Sequence, residues 1–151
     1  MSTNPIPARL VAATTALIGL LSAAAGGWAL AAPVTFYRLV APFPPYGMHL
    51  IHDIGAFQLG LGACLLAGLL LRDALLAVLA GNSVGAIAHS ASHLMDGADG
   101  GHSSDPFTIG ALALLLAALT TARWVIVRRP PATLTGPDDT APDDCVAAVS
   151  S

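Results

Sequence analysis

Four long apolar runs constrain this sequence more than any other feature. They cover residues 10–32, 49–71, 74–95 and 106–127. As helices rising ~1.5 Å per residue, each would be about 33–35 Å long, which is enough to cross a hydrocarbon core about 30 Å thick. We therefore predict an all-α protein, a four-helix transmembrane bundle that is multi-pass in the cell membrane.

The composition supports this class. Only 10% of the 151 residues are charged and 55% are hydrophobic, whereas ordinary soluble domains contain about 25% charged residues. The formal net charge is -3, and it is dominated by four aspartates near the C-terminus, Asp138, Asp139, Asp143 and Asp144. The main expected partner is therefore the lipid bilayer, and the absence of a basic patch in the sequence argues against nucleic acid.

The chain divides into three parts: a leader (1–9), a four-span transmembrane domain (10–129) and an acidic tail (130–151). We expect the tail to be disordered, because it is polar and rich in proline and aspartate. A cleaved signal peptide is the competing interpretation of the first run, since Arg9 precedes it and Ala29-Leu30-Ala31 fits a small-x-small cleavage site. Its length favours a retained span.

The connections between the spans indicate which spans lie next to each other. Residues 33–47 contain four prolines, and Pro44-Pro45 favours an extended or turn geometry before the second span. Arg72 and Asp73 form a very short turn, so the second and third spans should be antiparallel neighbours. Pro106 suits the first turn of the fourth span.

The arginines predict the orientation. With four spans, both termini and the Arg72 turn lie on one side. That side holds Arg9, Arg72, Arg123, Arg128 and Arg129, whereas the other side holds Arg38. Because cytoplasmic loops carry the excess of basic residues, we expect both termini, the leader and the tail to be cytoplasmic.

Histidine and aspartate residues form two groups at the extracytoplasmic ends of the second and third spans. The first His/Asp group is His49, His52 and Asp53; the second His/Asp group is His89, His93 and Asp96. Spacings of three, four and seven residues place each group on one helix face. Because the second and third spans are antiparallel, the two groups should lie at the same depth and meet.

Imidazole and carboxylate groups converging from adjacent helices are the ligands of first-row transition metals. We therefore predict a metal site formed by all six residues, with zinc, copper or iron as the ion. The aspartates would be ligands or would orient the histidines. The chemistry expected of such a site is redox chemistry on a lipophilic substrate, although the sequence assigns no catalytic residue and leaves open whether the protein is an enzyme.

Three alternatives stay open. A b-type haem would take one axial histidine from each group, but two surplus histidines and the lack of a second pair across the membrane count against it. Histidines titrate near pH ~6.5 when unperturbed, so the groups could sense pH. The protein could also be a non-catalytic membrane assembly or accessory protein with structural histidines, acting with a membrane protein partner or as a homo-oligomer.

A set of short motifs also resembles a known group of proteins. These motifs are Trp28 followed by Pro33-Val34-Thr35-Phe36-Tyr37, then Pro44-Pro45-Tyr46-Gly47-Met48-His49, Asp53-Ile54-Gly55-Ala56-Phe57, and His89 with His93. Together they resemble small, largely uncharacterised four-span actinobacterial integral membrane proteins that are loosely compared with DoxX-like proteins. The resemblance covers roughly residues 28–96. It implies the four-span fold and the membrane location, and no established reaction.

Overall fold

The computed structural model describes residues 6–71 and 73–128. All regular secondary structure in this part of the chain is helical. It comprises α1 (Ile6–Ala31), α2 (Pro33–Leu39), α3 (Met48–Leu70), α4 (Leu75–Met95) and α5 (Asp105–Arg128). The predicted tail, the first five residues of the leader, Arg72 and Arg129 lie outside the described residues.

The four long helices correspond to the four predicted spans. Their ends differ from the prediction by a few residues at most; α1, for example, begins at Ile6 rather than Leu10. Each is long and apolar enough to cross a membrane. Many large apolar side chains point outward, such as Phe57 and Leu114, which are 74% and 75% exposed. Together these features indicate a multi-pass membrane protein.

The short helix α2 was not predicted. The sequence predicted an extended or turn geometry only for Pro44-Pro45, and these residues do lie in a non-helical bend. Pro33 starts a helix readily, since its φ is already helical and a first-turn residue needs no N–H partner. The Trp28 indole Nε1 donates to Thr35 Oγ1 at 3.1 Å, and its ring meets Phe36 edge-on at 5.6 Å. These contacts fold α2 back against the end of α1.

Helices α1 and α3 pack closely and antiparallel, because glycines face each other along their interface. A Cβ atom on Gly26 would lie 2.7 Å from the Gly55 carbonyl oxygen, and one on Gly62 would lie 2.6 Å from the Ala23 nitrogen. Real Cβ atoms cannot approach so closely, so only glycine allows this backbone separation. The glycine face of α3 is therefore occupied by α1.

Helices α4 and α5 form the second closely packed pair. Ser83 and Thr120 join them midway through a 3.0 Å hydrogen bond between their hydroxyl groups. Near the loop, Ser90 Oγ donates to the Pro106 carbonyl oxygen at 3.1 Å. Hydrogen bonds of this kind hold helices together where water is excluded.

The two pairs join into one up-and-down bundle. A buried core connects all four long helices at the end that contains the start of α1 and the α3–α4 turn. It consists of Val11, Ile18, Leu65, Leu75, Leu79, Leu116 and Leu119. Helices α3 and α4 are antiparallel neighbours, as predicted, with Gly68 against Leu75 and Val78 close to the turn. Their contact is nevertheless much less extensive than the α1–α3 and α4–α5 contacts.

Candidate functional site

His93 is the centre of a compact polar cluster at the end of α4. Its side chain is only 14% exposed, and its Nδ1 lies 3.9 Å from Oδ2 of Asp105, which is 16% exposed. The His89 ring lies edge-to-face on the His93 ring at a centroid distance of 4.7 Å, as expected for two aromatic rings one helical turn apart. The Phe43 ring also meets the His93 ring edge-on, at a centroid distance of 5.6 Å.

Asp105, the first residue of α5, holds the neighbouring loop in place. Its Oδ2 accepts a hydrogen bond from the His102 backbone N–H at 2.8 Å. The His102 ring Nε2 in turn donates to the Leu39 carbonyl oxygen at 3.3 Å, and the Gly101 N–H donates to the Pro42 carbonyl oxygen at 3.3 Å. Residues 97–104 are therefore tied to the segment after α2, which brings Phe43 next to His93.

The first His/Asp group forms a separate and more open arrangement on α3. His49 Nε2 lies 3.5 Å from Asp53 Oδ2, but the two side chains are 93% and 50% exposed. His52, on the same helix, is half-buried. Asp96 of the second group is the exposed C-cap residue of α4. The acid that lies beside His93 is thus Asp105 rather than the predicted Asp96.

The structure does not bring the six predicted residues into one cluster. Within residues 6–71 and 73–128, no three His, Cys, Asp or Glu side chains lie close enough together to hold a metal ion. The packing of α3 supplies a physical reason. Its glycine face lies on α1, and its limited contact with α4 leaves the two His/Asp groups apart.

Sequence reasoning missed two residues of the cluster, Asp105 and Phe43. Asp105 precedes a proline at a helix start, where an acid stabilises the positive end of the helix dipole, so its position alone does not indicate a site. A short loop between antiparallel helices does, however, place the start of one beside the end of the other. Phe43 gave no signal, because its position depends on the path of two loops.

Comparisons with known proteins add no assignment: no protein-family model, curated protein or solved structure matches this chain. The fold and the site define the class as a multi-pass membrane protein with a partly buried His–Asp pair at one end of its bundle.

Proposed function

We propose that this chain is a multi-pass protein of the cell membrane that binds a transition metal ion through His89 and His93 at the extracytoplasmic end of α4. The observation that supports this most directly is the placement of Asp105 at Nδ1 of the mostly buried His93. The 3.9 Å separation is longer than a hydrogen bond. A small rotation of either side chain would let the carboxylate accept a hydrogen bond from Nδ1–H, which fixes the tautomer and leaves Nε2 to bind a metal.

The spacing of the two histidines supports the same proposal. Two histidines at positions i and i+4 of a helix can reach one ion, and their rings are already adjacent. Zinc, copper and iron all accept imidazole nitrogen. Two protein ligands are fewer than the three usual at catalytic zinc sites, so water or substrate would fill the other positions.

The surroundings of the pair favour a lipophilic substrate. Leu94, Met95 and Phe107 are 68%, 82% and 75% exposed, so the outer surface at this end of the bundle is apolar. A copper or iron ion with open positions there would have access to molecules dissolved in the bilayer. Redox chemistry on such a molecule is the reaction class that we propose for the site.

Metal content per protein tests the proposal. The full chain would be purified in detergent without chelators, using an affinity tag that contains no histidine, and its metal measured by mass spectrometry before and after titration with zinc, copper and iron. We expect His93→Ala and His89→Ala each to abolish stoichiometric binding. Asp105→Asn should weaken binding about 10–100-fold, the range typical for residues that orient a ligand.

Matched controls come from the residues that the structure places elsewhere. His49→Ala and Asp96→Asn should bind metal like the wild type. Loss of metal in His49→Ala would instead support the six-residue site predicted from the sequence. Wild-type protein that neither contains nor takes up metal, or a His93→Ala variant that binds normally, would contradict the proposal.

A second candidate is a non-catalytic assembly or accessory protein whose histidines are structural. The observation that favours it is the chain of contacts from Asp105 through His102 to the Leu39 carbonyl oxygen, which ties the loop before α5 to the end of α2. For that function, the wild type would be metal-free and His102→Ala would lower the thermal stability in detergent.

A further inference from the structure

An open apolar groove lies at the opposite end of the bundle from the histidines, between the start of α1 and the last turns of α5. It encloses about 490 Å³ and is lined by Pro7, Ala118, Thr121, Ala122, Val125 and Ile126. The Thr121 hydroxyl donates to the Ala117 carbonyl oxygen of its own helix at 2.9 Å. The wall of the groove therefore presents little unsatisfied polar surface.

The dimensions of the groove match one hydrocarbon chain of a lipid. Residues 118–126 extend about 12 Å along the helix axis at ~1.5 Å per residue, which is most of the ~15 Å depth of one leaflet of a bilayer core. The volume lies within the ~300–1,000 Å³ of ordinary small-molecule sites. The groove is open rather than enclosed, as a site filled from the bilayer must be.

The charges at the same end determine which headgroup fits. Among the described residues there, Arg9, Arg123 and Arg128 are basic and Asp73 is acidic. Arg128 is exposed, and its guanidinium carbon lies 3.7 Å from the centre of the Trp124 ring, an arrangement that fixes a cation at the membrane–water interface. Basic clusters beside grooves between transmembrane helices bind anionic headgroups.

From this charge complementarity we infer that the groove between α1 and α5 binds an acyl chain of an anionic phospholipid, whose phosphate is held by Arg128, about one helical turn after Val125 of the groove. The site is at the other end of the molecule from His89 and His93. Its existence does not depend on the proposed metal site.

Native mass spectrometry of the full chain in detergent tests the inference, with phosphatidylglycerol as the anionic probe and phosphatidylcholine of the same chains as the reference. The wild type should bind phosphatidylglycerol at least about fivefold more tightly than phosphatidylcholine, which is the factor expected from one arginine near an anionic group. Arg128→Gln should remove about this factor and leave phosphatidylcholine binding unchanged. Arg128→Lys, which keeps the charge, should restore the preference.

A second pair of variants tests the groove itself. Ala118→Leu fills the groove and should weaken binding of both lipids, whereas Ala63→Leu, the same change at an exposed site on α3, should affect neither. Equal binding of the two lipids by the wild type would overturn the inference. So would an Ala118→Leu variant that binds both lipids as the wild type does.

Discussion

At the scale of single residues, Gly101 shows how a backbone conformation positions a side chain far away in sequence. Its φ of 81° lies in the left-handed region, and a Cβ atom there would lie 2.6 Å from Cζ of Phe43. Because Gly101 has no side chain, the loop can lie against Pro42 and Phe43. Phe43 is in turn the residue whose ring meets the His93 ring edge-on.

Gly101→Ala should therefore destabilise the protein. The left-handed conformation costs a residue with a Cβ about 1–2 kcal/mol, and the collision with Phe43 adds to that cost. The measurement is thermal unfolding in detergent. Gly97→Ala is the control, since Gly97 is in the same loop and its added Cβ would meet the His93 carbonyl oxygen only at 3.4 Å. Equal stability of the two variants would show that the loop does not need this conformation.

The residues of the candidate site were only partly predictable. His89 and His93 follow from their helical spacing, because spacing in sequence becomes proximity on a helix. Two loops place Asp105 and Phe43 beside these histidines. The paths of the loops depend on Gly100, Gly101 and hydrogen bonds to backbone carbonyl groups. Periodicity carries no information about such paths, so the sequence analysis named Asp96 and did not name Asp105, the acid that lies near His93.

At the scale of helices, the lengths and positions of the four spans could be predicted, and their pairing only in part. The length of a hydrophobic run is independent of what the helix packs against, so the ends of each helix can be predicted from the local sequence. Gly55 and Gly62 indicate that α3 packs closely against another helix, but they do not identify that helix. The structure assigns α1, with Gly26 and Gly19 facing them.

The neighbouring residues Gly26 and Gly27 provide a matched test of this interface. A Cβ on Gly26 would collide with the backbone of α3, whereas one on Gly27 would meet nothing within 4 Å. Gly26→Ala should destabilise the protein by about 1–3 kcal/mol, as overpacked interfaces do, and Gly27→Ala should leave stability unchanged or raise it slightly. Reversible unfolding in mixed micelles would compare them. If both variants unfold alike, α1 does not pack on α3 through this face.

At the scale of the whole molecule, the up-and-down bundle places the start of α1, the α3–α4 turn and the end of α5 at one end. Of the described arginines, Arg9, Arg123 and Arg128 lie at this end and Arg38 lies at the other. This asymmetry supports the prediction that both termini are cytoplasmic. The helix packing by itself is compatible with either orientation, because it does not distinguish the two sides of the membrane.

Reporter fusions would determine the orientation. A reporter that is active in the cytoplasm should work when fused after Ser151, and one that is active outside the membrane should work when inserted in residues 97–105. Replacing Arg9 and Arg128 with glutamine should weaken this bias, because the basic residues near the span ends set it. The opposite reporter pattern would move the His89–His93 pair to the cytoplasmic side.

The pairing of α1 with α3 has a consequence for how the protein is made. Helices α4 and α5 are consecutive and can associate as soon as the second one leaves the ribosome. Helix α1 must wait for the roughly 40 residues between Ala31 and Leu70 to be synthesised, about 2–8 s at ~5–20 residues per second. Until then, the surface of α1 that contains Gly19 and Gly26 has no protein partner in the chain. The length of residues 32–47 therefore contributes to how long this surface of α1 stays without its partner.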